Sequence, residues 1–130
     1  MKILIDTQVF IWLINEDKRL GSKTRTLIFD SVNQLNISYF SIFEMTIKAS
    51  IGKLYYDSKL VDDLPGMGID ILFPNKESLK AYKIFNSDNK DPFDNALITT
   101  AIYEGCTLIT SDPKILAVID KDLKLFDAQT

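Results

Sequence analysis

The chain has 130 residues with 15 basic and 18 acidic side chains, a formal net charge of −3, one cysteine and no histidine. Its 46% hydrophobic and 25% charged residues are typical of a globular domain, which excludes disordered and fibrous proteins. The absence of histidine excludes Ser-His-Asp and Cys-His nucleophilic sites and His-ligated zinc, and a lone Cys106 excludes an intramolecular disulfide. Catalysis by this chain would therefore depend on carboxylates, lysine, tyrosine, hydroxyls or a bound metal.

The first part of the chain alternates short apolar runs with helical patterns. The predicted elements are a strand over 3–5, a helix over 7–14, a helix over 22–32, a strand over 35–38 and a helix over 41–51. Ser22 is placed to cap the second helix, and the spacing of Ser41 and Glu44 predicts a capping box at the start of the third. Gly52 stands where a glycine would end that helix.

The second part repeats this alternation after a break at residues 65–68. The predicted elements are helices over 58–64, 76–85, 92–104 and 113–119, strands over 69–73, 107–110 and 123–126, and a polar loop over 88–90. Asp91 and Asp112 each precede a proline, which is the pattern of an N-cap followed by Pro at the first helical position.

Strands that alternate with helices predict an α/β fold, a three-layer α/β/α sandwich with a central, mostly parallel sheet. Ligands of such sheets bind outside the carboxyl ends of the strands. Asp6 follows the first strand directly, and Asp112 comes two residues after the strand over 107–110. We expect both side chains at that edge, on neighbouring strands.

Nothing in the sequence indicates a membrane segment or a secretion signal. No apolar run approaches the roughly 18 residues that a membrane span needs, and the N-terminus reaches Asp6 after three apolar residues, which is too short for a signal peptide. We therefore expect a cytoplasmic protein that does not contact a membrane.

Several acids near the predicted strand ends and helix starts have two explanations. Asp6, Asp91 and Asp112 each fit a plain N-cap, worth about 1 kcal/mol to a helix, and Asp94 suits the first turn of its helix. Because Asp91 and Asp94 are three residues apart, they also share a helix face.

Glu44 is harder to explain as a surface residue. Its predicted helical face also carries Phe40, Ile47 and Ile51, so its carboxylate should point inward, where it needs a partner or a cation. The alternative is an ion pair with Lys48 on the next turn. If the five acids share one sheet edge, they repel one another, and a divalent cation bound by oxygen ligands, Mg²⁺ or Mn²⁺, would stabilise them.

Three segments carry a resemblance to a known family. They read LIDTQVFIWL at 4–13, SIFEMTIK followed by GKL at 41–54, and DPFDN at 91–95 with TSD at 110–112. In this order and spacing they resemble the PIN-domain ribonucleases, and most closely the VapC-type toxins of type II toxin–antitoxin systems.

The resemblance implies a single PIN-like domain over residues 1–130 with an acidic pocket at its sheet edge. It implies that the catalytic and metal-binding residues are Asp6, Glu44, Asp94 and Asp112, with Asp91 as a secondary metal candidate at the pocket edge. The implied activity is that of a Mg²⁺- or Mn²⁺-dependent endoribonuclease, which cleaves single-stranded RNA by metal-activated water. Whether one or two ions bind stays open. It also implies a cognate antitoxin protein as partner and a homodimer.

The chain departs from the family pattern at three positions around the pocket. Gln8 and Asn89 stand where the family often has His, and Asn95 stands where it often has Arg, which removes a charge that could bind phosphate. None of the three is a usual metal ligand.

Candidate contacts to RNA are Lys48, Lys53, Thr110 and Ser111, each of which also fits an ordinary surface or turn residue. Residues that could line a groove for an antitoxin helix are Phe40, Phe43, Ile51, Leu54 and Tyr55.

Three alternatives remain at this point. One is a PIN-fold protein of RNA maturation, or one that binds RNA without cutting it. A second is a phosphatase with Asp6 as nucleophile, although Gln8 replaces the second Asp that such enzymes carry. A third is a receiver-like Mg²⁺-binding module, which would need further acids after the first strand.

Overall fold

The fold is known from a computed structural model, which describes residues 1–85 and 88–130. The strands are β1 (Lys2–Ile5), β2 (Gln34–Ser38), β3 (Ile69–Leu72), β4 (Thr107–Thr110) and β5 (Lys124–Asp127). The helices are α1 (Thr7–Ile14), α2 (Ser22–Phe29), α3 (Tyr39–Ser50), α4 (Lys59–Asp63), α5 (Lys76–Ile84), α6 (Pro92–Glu104) and α7 (Pro113–Leu116), with a 3₁₀ turn at Pro65–Met67. None of the helices in the described ranges is long and apolar enough to cross a membrane.

The strands form one five-stranded sheet in the order β3-β2-β1-β4-β5, and every pairing is parallel. Ile5 of β1 pairs with Ile37 on one side and Ile109 on the other. The predicted three-layer α/β fold is confirmed. The strand order reverses between β1 and β4, and a crevice forms at such a switch point beyond the carboxyl ends of the strands.

The central strand is buried on both faces, which explains its short, unbroken apolar run. Ile3 and Ile5 point into one hydrophobic core, where they pack with residues of α1, α2 and α3. Leu4, one residue out of phase, points into a second core built from α6, β4 and α7. Packing of the two cores against β1 and β4 orients the residues at the carboxyl ends of these strands.

The helix α3 begins earlier than the predicted capping box. Its N-cap is Ser38, the last residue of β2, whose side chain accepts a hydrogen bond from the N–H of Phe40 at 3.1 Å. Ser41 lies buried inside the helix, so the predicted Ser41–Glu44 capping box is wrong. Ser38 lies three residues before Ser41 and can form the same kind of cap, and the chain enters the helix directly from the strand. The Glu44 carboxylate is therefore available for another role.

Two other predicted helices are shorter in the structure. Ser22 is the first residue of α2 rather than its cap, and the helix ends at Phe29 because Asp30 is extended, with ψ of 116°. The helix α7 ends at Leu116, after which the N–H of Val118 bonds the carbonyl of Ile115 at 3.0 Å, a tighter three-residue turn. By contrast, Gly52 has a positive φ of 76° after α3, as predicted for a glycine that ends a helix.

The segment after β5 lies against the start of α2. The N–H of Gly21 donates to the carbonyl of Ala128 at 2.9 Å, and the N–H of Lys23 donates to the carbonyl of Thr130 at 3.1 Å. A Cβ atom on Gly21 would lie 2.2 Å from the carbonyl carbon of Thr130. Only glycine therefore fits this position without a backbone shift.

Candidate active site

A polar cavity of about 220 Å³ opens at the carboxyl edge of the sheet, where β1 and β4 end. It is lined by Asp6, Thr7, Gln8, Ile11, Phe40, Ser41, Glu44, Lys48, Asp91, Phe93, Asp94, Leu97, Asp112 and Ile115. All five acids singled out from the sequence are among these residues, although they come from four separate segments of the chain. We call this space the acidic cavity.

Asp6 is the most deeply placed of the five acids, with 5% of its surface exposed. Its Oδ1 accepts a hydrogen bond from the N–H of Val9 at 2.7 Å, so it is the N-cap of α1, and its Oδ2 accepts one from the hydroxyl of Thr110. The pKa of Asp6 is raised from 3.8 to about 6: burial is the largest cause, and the charges of Asp112 and Asp94 also raise it, while the two hydrogen bonds lower it. The ionised carboxylate is thus costly in the protein without a cation.

Glu44 points into the acidic cavity between two partners. The hydroxyl of Thr7 donates to its Oε1 at 2.9 Å, and Lys48 Nζ lies 3.5 Å from its Oε2. The inward orientation and the ion pair with Lys48, which the sequence offered as alternatives, therefore coexist. The apolar face of the helix is less buried than predicted, since 38% of Ile47 and 60% of Ile51 are exposed.

Asp91 and Asp94 lie at the start of α6. Asp91 is its N-cap, and its Oδ1 accepts from the N–H groups of Phe93 and Asp94 at 2.9 and 3.3 Å. Asp94 Oδ2 accepts from the side-chain amide of Asn89 at 2.9 Å. Burial raises the pKa of Asp94, as do the charges of Asp91, Asp112 and Glu44, while the Asn89 hydrogen bond lowers it.

Asp112 reaches the acidic cavity from the start of α7. Its Oδ1 caps that helix through the N–H of Lys114 at 2.9 Å, and its own N–H donates to the Thr110 hydroxyl oxygen at 3.0 Å. Thr110 therefore bonds both Asp6 and Asp112, and it ties the ends of β1 and β4 together. Capping engages one oxygen of each Asp N-cap in this cavity, so capping and ligand binding do not exclude each other.

The chemistry of the cavity suits a hard divalent cation, since its charged donors are carboxylate oxygens. In residues 1–85 and 88–130, no three acidic or thiol side chains are already grouped closely enough to hold one metal ion. The acids converge on the same space without meeting at one point. Donor type and location therefore fit Mg²⁺ or Mn²⁺, although the carboxylates are not grouped as ligands in this arrangement.

The four residues predicted to contact RNA are in different surroundings. Lys48 lines the acidic cavity, whereas Lys53 is exposed and lies outside its lining. Ser111 is half-buried beside Asp112. Thr110 is fully buried and donates to Asp6, so its position does not fit a direct contact with RNA.

The predicted antitoxin-groove residues do not share one surface. Phe40 and Phe43 face a second, apolar cavity of about 290 Å³ between α3, α5 and α6, with Leu79 and Tyr82 opposite. Leu54 packs on the core of α1, α2 and α3, while 90% of Tyr55 is exposed.

Besides Thr110, two polar partners of the acids were missed as such by the sequence reasoning. Thr7 bonds Glu44 across 37 residues of sequence, which no local pattern reveals. Asn89 bonds Asp94 across five residues, and the only local signal was the polar character of the loop over 88–90.

Solved structures show the same fold. The crystal structure of VapBC2 from Rickettsia felis bound to a DNA fragment from their promoter matches with a TM-score of 0.67 and 18% identity, covering 97% of this chain and 98% of that chain. The structure of VapBC-1 from nontypeable Haemophilus influenzae, at 2.2 Å resolution, matches with a TM-score of 0.68 and 21% identity over 100% of both chains.

The family is shown by a comparison of the sequence with family models. A comparison with curated proteins found no significant match. The family model described as PIN domain matches residues 3–121, which include all five acids of the cavity. The chain belongs to the PIN domain family.

Proposed function

We propose that this protein is a Mg²⁺- or Mn²⁺-dependent endoribonuclease that cleaves single-stranded RNA, and that it is the VapC-type toxin of a toxin–antitoxin pair. The observation that carries the proposal is the convergence of Asp6, Glu44, Asp94 and Asp112 on one cavity at the β1/β4 edge. Membership of the PIN family supports a nuclease, and the two VapBC neighbours support the toxin role.

The proposed cation ligands are Asp6 and Asp94, with Asp112 and Glu44 completing the site and Asp91 at its edge. A bound divalent cation would offset charge on the scissile phosphate and make a water molecule acidic enough to attack it near neutral pH. Thr110, Asn89 and Thr7 would hold the carboxylates of Asp6, Asp94 and Glu44 through the hydrogen bonds described above. The carboxylates would bind the cation and the three neutral side chains would orient them, so the proposed site needs no histidine.

The RNA backbone has to approach a cavity that is itself negative. Lys48 lies at this cavity, and Lys90 and Lys114 line an adjoining shallow depression with Asp88 and Asn89. Positive charge is thus available on two sides of the acids, where it could hold phosphates on either side of the bond to be cut.

The decisive experiment is cleavage of a labelled single-stranded RNA pool by protein purified free of partners. We expect cleavage with Mg²⁺ or Mn²⁺, none with EDTA, and a loss of at least 100-fold in Asp6→Ala and Asp94→Ala, since each removes a proposed cation ligand. Asp70→Ala is the matched control, because Asp70 is an exposed acid on β3 outside the cavity and should leave cleavage unchanged.

Two results would contradict the proposal. Cleavage that persists in EDTA, or in both cavity variants, would point to a contaminating nuclease or to another site. RNA binding without cleavage, with Mn²⁺ shown to be bound, would instead support the alternative of a PIN protein that binds RNA and does not cut it.

The toxin role needs a separate test in cells. Induced expression of the wild type should stop growth, expression of Asp94→Ala should not, and co-expression of the small protein encoded by the adjacent gene should restore growth and co-purify with the chain. The proposed homodimer and cytoplasmic location remain predictions, which light scattering and cell fractionation can check. Growth arrest by both forms would count against a nuclease toxin.

A further inference from the structure

Asn89, in the loop before α6, makes two side-chain hydrogen bonds to residues that line the acidic cavity. The side-chain amide of Asn89 donates to Asp94 Oδ2 at 2.9 Å, and its side-chain oxygen accepts from the N–H of Asp91 at 3.0 Å. Asn89 thus contacts the backbone of the helix N-cap and the carboxylate three residues further on. One side chain fixes both the start of α6 and the orientation of Asp94.

Asn95 holds Asn89 from the other side. Its side-chain nitrogen donates to the backbone carbonyl of Asn89 at 2.8 Å, and its own N–H donates to the carbonyl of Asp91 at 3.1 Å. Asn95 Oδ1 is buried and has no hydrogen-bond partner among the residues that the structure describes.

The donors that face the acids are mostly neutral. Asn89 and Thr110 orient Asp94 and Asp6 without adding positive charge, and Lys48 is the one cation within the lining of the cavity, at Glu44. A neutral donor stabilises a carboxylate in one orientation and leaves its charge to attract a cation. The same relation is common around metal sites, where an outer hydrogen bond orients a ligand.

We propose that Asn89 and Asn95 act as a positioning pair that holds the Asp94 carboxylate in the orientation that binds the divalent cation. This inference rests on the proposed function, because it assumes that Asp94 is a ligand. It assigns a role to two positions at which the chain departs from the pattern of the VapC-type toxins. Neither residue is expected to touch the reacting phosphate.

The test is Mn²⁺ binding by isothermal titration calorimetry, which does not depend on activity. We expect Asn89→Ala to weaken binding about 10- to 100-fold, as removal of an outer hydrogen bond to a metal ligand does. Asn95→Ala should weaken it in the same direction by a smaller factor, because Asn95 acts through the loop. Asn89→His keeps an N–H donor and should restore most of the affinity.

Controls separate a positioning role from a general loss of structure. Asn15→Ala removes an exposed amide at the end of α1, far from these acids in the fold, and should bind Mn²⁺ as the wild type does. The circular dichroism spectrum of Asn89→Ala in EDTA should match that of the wild type, and its urea unfolding should remain a single cooperative transition, with at most a modest shift of the midpoint for the lost hydrogen bonds. If Asn89→Ala does not fold, the comparison of Asn95→Ala and Asn89→His with the wild type decides the question.

The outcomes distinguish this inference from the proposed function. Wild-type protein that binds no Mn²⁺ would overturn both. Wild type that binds Mn²⁺ and cleaves RNA, with Asn89→Ala and Asn95→Ala equal to it in affinity and rate, would overturn the positioning pair alone. Weaker binding in Asn89→Ala that Asn89→His does not restore would assign the loss to the loop backbone, against the proposal.

Discussion

Replacement of Asp6 by Asn should make the metal-free protein more stable near neutral pH, although Asp6 is central to the proposed site. The pKa of this carboxyl rises from 3.8 to about 6 on folding. The folded protein therefore holds the proton more tightly than the unfolded chain does, and stability falls as the pH rises from about 4 to 6. At about 1.4 kcal/mol for each pH unit, ionised Asp6 disfavours folding at pH 7.5 by about 3 kcal/mol.

The stability that Asp6→Asn gains by removing this charge is partly offset by the loss of a hydrogen bond. An Asn at this position can still accept from the N–H of Val9 and cap α1, but its amide cannot accept the hydroxyl proton of Thr110. Loss of one such bond costs about 1 kcal/mol. We therefore expect Asp6→Asn to raise the free energy of unfolding by about 2 kcal/mol at pH 7.5, and to lose this advantage below about pH 4.

Urea unfolding in EDTA at a series of pH values between 4 and 8 measures the effect. Asp70→Asn serves as the control, because Asp70 is exposed and lies outside the acidic cavity. Addition of Mn²⁺ should stabilise the wild type and not Asp6→Asn. The difference in the free energy of unfolding between the two proteins should then become smaller or change sign. The reasoning is refuted if Asp6→Asn is no more stable than the wild type at pH 7.5, or if its advantage grows as the pH falls.

Three further predictions concern packing and surface charge, and urea unfolding checks each of them. Gly21→Ala should cost about 1–3 kcal/mol, because its Cβ would lie 2.2 Å from the backbone of Thr130; Gly66→Ala, which has no such neighbour within 4 Å, should change stability by less than about 0.5 kcal/mol. Leu108→Ala should cost about 2–5 kcal/mol, since the side chain is 0% exposed in the core around α6, and a smaller loss would mean that the core collapses around the gap. Lys48→Gln should change stability by less than about 1 kcal/mol, because its ion pair is half exposed, so a large loss of RNA cleavage would reflect a contact with RNA and not misfolding.

The sheet was predictable because its strands are short runs rich in apolar residues that stand out from the helical patterns between them. The run at Ile3–Ile5 and the pattern at Thr107–Thr110 are short, apolar and separated by helices, and this alternation requires parallel pairing. The start of α3 was not predictable, because Ser38 and Ser41 both fit an N-cap. The choice between them depends on where β2 leaves the sheet, which is a property of the whole fold.

The position of the acids followed from topology, whereas their partners did not. Asp6 and Asp112 were expected on neighbouring strands, and the pairing of β1 with β4 confirms this placement. Thr110 was a candidate for an RNA contact or for an ordinary turn residue, and its buried side chain donates to Asp6 instead. Contacts such as that of Thr7 with Glu44 join distant segments, so they emerge only when helices α1 and α3 are packed together.

The place of β1 at the centre of the sheet has a consequence for how the chain is made. Its two neighbours are β2, which follows soon after it, and β4, which is synthesised about a hundred residues later. Asp6 leaves the ribosome about a hundred residues before Asp112, so the wall of the cavity opposite Asp6 is missing until Asp112 has been added. A ribosome that translates this chain therefore carries no complete acidic cavity until β4 and Asp112 have been made. For a protein proposed to cut RNA, this order keeps the cutting site unassembled while the part of the message between Asp6 and Asp112 is being read.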